Sequence, residues 1–274
     1  MQVGIVARKG NPRAAALASD VRDAVAERDV SVWLDAVTAE YLDAGPGRSV
    51  SALADCDLAV AVGGDGTFLF AARNADGVPV LGVNLGEVGF LNAVPPDEAE
   101  RAVLREVERF RDGGMSVREA PRLVATADGW ESLPAANEVL VTGPRRGHGG
   151  GIDYELRVDG SLYSGGHADG VLVATPTGST AYNLSERGPL VHPTVDGFIV
   201  NEMCAEEGMP PLAVGVDASV TVTVTSPGDV IVASDGRNPH ELGGPVEVSV
   251  RRATPPMRIA GPPADFFEAL GKLS

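Results

Sequence analysis

The sequence predicts an α/β domain followed by an all-β domain, and three observations carry that prediction. Through roughly the first hundred residues, apolar runs of strand length alternate with amphipathic stretches of helical spacing. After Gly113-Gly114 the texture changes to short alternating runs separated by Gly, Pro and Asp, the pattern of strands joined by turns. At residues 265–273 an amphipathic segment returns, with Phe266, Phe267, Leu270 and Leu273 apolar. The expected boundaries are 1–112 for the α/β domain, 113–252 for the β domain, and 253–274 for a segment packing back on the first.

Residues 3–7 open the chain as a strand. Asn11-Pro12 then starts a helix running to Glu27, with Ala16, Val21 and Val25 at helical spacing. Residues 30–34, 57–62 and 78–83 read as further strands, and residues 67–73 as a helix between the last two. Another helix covers 97–110, with Ala99, Val103, Val107 and Phe110 on one face. Such alternation argues a parallel sheet covered on both faces, whose ligands sit outside the carboxyl ends of the strands. In the second half, residues 123–127, 138–142, 153–158, 171–175, 219–225, 230–233 and 246–250 read as strands. The glycine-rich stretch 147–151, which holds His148, reads as a mobile loop or hairpin tip.

A length of 274 residues and a hydrophobic content of 44% are enough for proper cores, which excludes a disordered protein. The formal charge is -16, nearly all the basic charge is arginine, and the lysines are Lys9 and Lys272. The acids are scattered (Asp20, Asp23, Glu27, Asp29, Asp35, Glu40, Asp43) rather than gathered, which favours a solvated acidic surface suited to high salt over an acidic metal site. No basic stripe argues for nucleic acid, and no apolar run approaches membrane-spanning length. Cys56 and Cys204 are far apart and outside any paired-ligand motif, so two buried thiols in a reducing cytoplasm are expected. His148, His167, His192 and His240 are dispersed, and no metal ligands are assigned.

Two segments carry the chemistry. Val62-Gly63-Gly64-Asp65-Gly66-Thr67 closes the apolar run Leu58-Ala59-Val60-Ala61, so a buried strand empties into a tight, amide-rich turn ahead of Phe68-Leu69-Phe70-Ala71-Ala72. Glycines there allow close ligand approach and positive φ, and a following helix would add its N-terminus, an arrangement that attracts phosphate. No Lys-Ser/Thr pair follows, so it is not a P-loop. The carboxylate of Asp65 would repel phosphate and so needs a task of its own. The second segment runs from Asp169-Gly170 through Thr175-Pro176-Thr177-Gly178-Ser179-Thr180-Ala181-Tyr182, an apolar strand ending in a turn dense in hydroxyls, with Tyr182 able to stack a base. Asn137-Glu138 opens another strand.

These motifs, with Leu81-Gly82-Val83-Asn84-Leu85-Gly86-Glu87-Val88-Gly89-Phe90-Leu91 between them, stand in the order seen in NAD kinases, and the chain resembles that family from end to end. Ser234-Asp235-Gly236-Arg237 and Arg251-Arg252 have similar counterparts. The resemblance implies a Rossmann-like α/β domain, a β-sandwich domain, and a site between them. It implies phosphorylation of NAD at the 2′-hydroxyl of its adenosine ribose by ATP or polyphosphate, with Mg2+ escorting ATP. By match to the family motif, Asp65 holds the acceptor hydroxyl and acts as general base, while Gly64 and Gly66 line the phosphates. Asn137, Glu138, Thr180 and Tyr182 surround adenine and its ribose, Phe90 packs against the dinucleotide, and Asp169 meets the nicotinamide side. Thr67, Asn84, Thr177, Ser179 and Ala181 complete the nucleotide-binding set. A homodimer or homotetramer is implied as well, while the acidic charge points to a salt-loving source and the strand-like opening at Met1-Gln2-Val3 to a cytoplasmic protein.

The chain departs from the family pattern in two places. Many relatives carry Gly-Gly-Pro where this chain has Glu186-Arg187-Gly188-Pro189, and Glu206 and Glu207 stand where a His and an Arg are common. Arg187 is left open between a phosphate contact and plain exposure. Two other functions stay open on the sequence: a kinase for a different hydroxyl acceptor, such as a sugar or lipid, and a non-catalytic dinucleotide sensor.

Overall fold

The structure, a computed structural model, describes residues 1–86 and 89–271. Glu87 and Val88 of the resembling segment, and Leu273 of the expected terminal helix, lie outside the described residues. The chain divides into two compact units, unit 1 (Met1–Glu119 and the segment from Met257 onward) and unit 2 (Ala120–Pro256).

Unit 1 begins with β1 (Gln2–Ala7), α1 (Pro12–Ala26), β2 (Ser31–Leu34), α2 (Ala36–Tyr41), β3 (Leu58–Gly63), α3 (Asp65–Asn74), β4 (Val80–Asn84) and α4 (Ala99–Arg111). The strands are parallel in the order β2-β1-β3-β4, with Ile5 opposite both Leu34 and Val60, and Ala61 opposite Gly82. Every residue of β3 is buried, as expected of a strand covered on both faces. Ala14, Ala18, Val21 and Val25 of α1 join Val103 and Val107 of α4 in one core cluster with Val3, Val60 and Val83. Asn11 caps α1 through its side chain, accepting from the Ala14 N–H at 3.0 Å, and Pro12 supplies the first turn. Because the strands run parallel, the chain leaves β1, β3 and β4 at one common edge, which receives Arg8, Gly64-Asp65 and Leu85.

Unit 2 is antiparallel. Its elements are β5 (Val117–Ala127), β6 (Trp130–Glu131), β7 (Glu138–Thr142), β8 (Ile152–Val158), β9 (Ser161–Ala168), β10 (Gly170–Ala174), α5 (Tyr182–Ser185), β11 (Gly197–Met203), β12 (Leu212–Gly215), β13 (Val220–Ser234) and β14 (Arg237–Ala260). Neighbours follow the order β12-β11-β10-β7-β13-β14. Alternation along the strands sends Val139, Val141, Val171 and Val173 into one buried cluster with Leu156, Phe198 and Val222, and sends Leu140 and Leu172 into another with Ile199 and Met203. The end of β14 returns to unit 1, where Ile259 and Ala260 lie parallel to Val80 and Leu81 of β4. The short helix α6 (Phe266–Leu270) follows, capped by Asp265. Among the described residues no helix is long and apolar enough to cross a membrane.

Five expectations are corrected. The glycine stretch 147–151 is not a hairpin tip, because β7 and β8 on either side of it both lie along β13 rather than against each other. The expected strands at 219–225 and 230–233 are one strand, β13, carried through Ser226-Pro227-Gly228 by a register shift between Val224 and Gly228. Cys56 is buried but Cys204 is exposed, at φ 50 in the turn that ends β11. The helix after β3 starts at Asp65, two residues before the expected start. The glycines of that turn avoid positive φ: Gly64 is extended at φ -98, because β3 runs almost directly into α3.

Candidate active site

The unit 1 cluster is built at the junction of β3 and α3. Gly64 is the N-cap and Asp65 the first helical residue, where a negative side chain is favoured by the helix dipole. The Asp65 carboxylate does not cap its own helix. Instead Oδ2 accepts from the Phe90 N–H at 2.9 Å, and Oδ1 accepts from Leu91 and Asn92 N–H groups at 3.2 and 3.3 Å. Three successive amides therefore fix the acid's orientation and use three of its roughly four acceptor positions. Gly89 is required for this approach, since a Cβ there would stand 2.3 Å from Asp65 Oδ1. At Gly64 and Gly66 an added Cβ would meet nothing within 4 Å, so the other flank of Asp65 is open.

The neighbouring predicted residues gather around this acid. Asn84 is buried at the end of β4, opposite Gly63 in register, and its Oδ1 accepts from the Gly86 N–H at 3.3 Å. Thr67 is half-buried in the first turn of α3, its N–H bonded to the Gly64 carbonyl at 2.9 Å. Phe90 is half-buried, and its ring packs on Phe266 of α6 with centroids 5.8 Å apart.

The unit 2 cluster is stitched from three segments. Asp235, in the turn between β13 and β14, accepts from the N–H groups of Ala136, Asn137 and Glu138 at 3.2, 2.7 and 3.3 Å. Thr175 binds the same stretch from the other side, its N–H reaching the Asn137 carbonyl at 2.8 Å and its hydroxyl the Ala136 carbonyl at 2.6 Å. Gly178 then passes so close that a Cβ would lie 2.0 Å from the Asn137 carbonyl oxygen. Thr177, Thr180, Ala181 and Tyr182 are half-buried on the turn that follows. Ser179 is fully buried and its hydroxyl is occupied by the Pro176 carbonyl and both backbone groups of Val191, which makes it an internal brace.

Arg146 was not among the predicted residues, because its segment stood out for glycine and His148. It lies over the Tyr182 ring at 5.5 Å and donates to the Tyr182 hydroxyl. Burial and the hydrogen bond to Glu186 push the Tyr182 phenol up to about 12, so it stays protonated at neutral pH. The loop carrying Arg146 is tied to Asp169, whose Oδ1 accepts from the Gly147 N–H at 2.7 Å. Arg187 is exposed at φ 61 after α5, and Glu206 and Glu207 are exposed in the turn after β11. His167 sits between Asp153 Oδ1 at 2.8 Å and the Gly150 carbonyl at 2.9 Å, both acceptors, which raises its pKa.

Residues 3–109 match the family model described as the ATP-NAD kinase N-terminal domain, and residues 136–260 match the ATP-NAD kinase C-terminal domain. The chain is 70% identical over 275 residues to an NAD kinase of Halorubrum lacusprofundi and 56% identical over 281 residues to one of Halobacterium salinarum, in both cases across 100% of each chain. Both are halophilic archaea. It is also similar to a crystal structure of an NAD kinase from Archaeoglobus fulgidus in complex with ATP, at a TM-score of 0.75 and 26% identity over 94% of this chain and 93% of that one. Together with the acid held at the glycine junction and the braced Thr-Pro-Thr-Gly turn, these matches place the chain in the NAD kinase family, as a kinase that transfers phosphate to NAD.

Proposed function

We propose that the acceptor is the 2′-hydroxyl of the adenosine ribose of NAD, that ATP or polyphosphate is the donor, and that Asp65 is the general base. The observation that carries this is the Asp65 carboxylate, held by three amides with an acceptor position to spare and open space on its glycine side. Phosphoryl transfer to a hydroxyl needs positioning and charge neutralisation more than covalent chemistry. Asp65 orients the attacking hydroxyl and takes its proton as the bond to phosphorus forms. Gly64 and Gly66 leave backbone amides bare toward the phosphates, with Thr67 and Asn84 beside them. Asn137, Glu138, Thr177, Thr180, Ala181 and Tyr182 serve the adenosine, Phe90 packs on the dinucleotide, and Asp169 meets its nicotinamide side. Ser179 contributes by bracing that turn.

Magnesium belongs with the donor. Among the described residues no group of three or more His, Cys, Asp or Glu is placed to hold a metal, and the Asp65 oxygens already accept amide bonds. That donor set suits an ion held chiefly by phosphate oxygens and water, where it neutralises charge on the transferring group. Family membership supports a cytoplasmic homodimer or homotetramer, which sedimentation in molar potassium chloride and cell fractionation would check.

Incubation with NAD, ATP and Mg2+ in molar potassium chloride, with phosphorus NMR of the product, tests the reaction. A phosphomonoester on the adenosine 2′ position is expected. Phosphate at any other hydroxyl, or none transferred from either donor, would overturn the assignment.

A further inference from the structure

A cavity of about 350 Å3 opens in unit 1 beyond the carboxyl end of β1, lined by Arg8, Lys9, Asn11, Val37, Thr38 and Tyr41 among others. Its volume falls within the range of roughly 300–1,000 Å3 typical of small-ligand sites. It borders the junction that carries Asp65. The Arg8 N–H is bonded to the Val62 carbonyl at 2.8 Å, and a Cβ added at Gly63 would stand 3.1 Å from Arg8 Cβ.

The charge of this cavity runs against that of the chain. The chain carries a formal charge of -16, and Arg22, Arg28, Arg101, Arg109, Arg157 and Arg251 each form an ion pair. Arg8 and Lys9 are exposed and adjacent, and neither makes a side-chain hydrogen bond or ion pair among the described residues. A third cation, Arg13, reaches the Leu85 carbonyl at 3.4 Å beyond the end of β4. The buried acid nearby, Asp35, is turned onto the Thr38 hydroxyl and the Val37 and Thr38 N–H groups. Glu40 is the one acid in the lining, and it is exposed on α2. Adjacent unneutralised cations repel each other and are relieved by a ligand carrying several negative charges.

We propose that this cavity is a binding site for a run of linked phosphates, the part of the phosphoryl donor distal to the group transferred. The assignment rests on the donor chemistry proposed above. It gives the donor a second hold, one strand away from the glycine junction, that NAD does not share. The shared chemistry is the phosphoanhydride chain, which ATP and polyphosphate both supply, and the exposed Tyr41 ring is where a nucleobase would distinguish them.

The test pairs kinetics with direct binding. In the Arg8→Ala/Lys9→Ala variant, KM for ATP and for polyphosphate should each rise about tenfold, with KM for NAD moved less than about twofold. An Arg101→Ala/Arg105→Ala variant removes the same charge from the exposed face of α4 and should leave every KM unchanged. A rise for one donor alone would identify that donor as the source of the chain, and where that donor is ATP, Tyr41→Ala should raise its KM as well. Inorganic tripolyphosphate, titrated calorimetrically at the lowest salt that keeps the protein folded, should bind the wild type and bind the double variant about tenfold more weakly. That titration reads the cavity even if no NADP is formed, so failure of the reaction and failure of the site are separable. Donor KM values unmoved in the double variant, with or without a change in tripolyphosphate binding, would overturn the proposal, as would an equal effect in the α4 control.

Discussion

In unit 1, Asp65 accepts from the backbone amides of Phe90, Leu91 and Asn92, and in unit 2, Asp235 accepts from those of Ala136, Asn137 and Glu138. The two acids are held by the same device and differ in what lies on the other side. Asp65 is flanked by Gly64 and Gly66, where an added Cβ would meet nothing within 4 Å. Asp235 sits in the two-residue turn between β13 and β14 at φ 51, with Gly236 at φ 62, and its own N–H is spent on the Glu138 carbonyl at 2.9 Å. Its bonds close a hairpin onto the start of β7, and nothing about that arrangement leaves it facing a substrate. A carboxylate cradled by amides is thus a rigid part, and only its free flank decides whether the rigidity serves chemistry or architecture.

The sharpest break in this comparison is expected at Asp65. Asp65→Asn should lower kcat by roughly 10²–10⁴-fold with the unfolding midpoint little changed. Steady-state kinetics beside thermal unfolding in molar potassium chloride would show it, and a large loss of stability would make Asp65 a structural acid like its counterpart. Asp235→Ala should do the reverse, costing about 3 kcal/mol by stranding three amides and raising KM for NAD through Asn137 and Glu138, with kcat less affected. Denaturant titration gives the first number. Next in size comes Gly89→Ala, whose methyl group would push the Asp65 carboxylate aside. A fall in kcat of about tenfold with KM for NAD retained would mark displacement of the base rather than loss of the substrate.

The smallest expected effect concerns the loop that ties Asp169 to Arg146. His167 faces two acceptors, the Asp153 carboxylate and the Gly150 carbonyl, and only the imidazolium donates to both. Glu206, in the neighbouring turn, adds to the same effect. Its folded pKa is therefore raised above the ordinary value, so the stabilisation is complete below about pH 6.5 and is lost as pH rises through the folded pKa. Melting curves between about pH 6 and pH 8 should slope more steeply for the wild type than for His167→Gln. Equal slopes would mean that the clamp does not depend on the proton.

The parallel half was legible because burial on both faces writes itself into composition: Leu58-Ala59-Val60-Ala61-Val62 has no place except between two layers. Asp65 was legible for the opposite reason, as a charge in a turn otherwise built for anions. The antiparallel half was less so. Ser161–Ala168 holds two glycines, two serines and a histidine, yet pairs along β8 from Ile152 to Val158, since an outer strand needs little apolar surface. β11 and β12 were unforeseen, and Pro227-Gly228 read as a break where β13 continues through a bulge. Asp235 stood in the sequence only as part of a resembling segment, because its amide partners lie 98 residues away at Asn137. Arg146 was hidden by louder neighbours. What sequence withholds here is pairing at a distance, not local preference.

The return of β14 to unit 1 also sets a timetable. During synthesis β1, β3 and β4 emerge early, but the strand that flanks β4, at Ile259 and Ala260, is made only after all of unit 2. Until then β4 presents open amides and carbonyls along its outer side, a template for pairing with the wrong chain. The half of the molecule that carries Asp65 is therefore the first begun on the ribosome and the last completed.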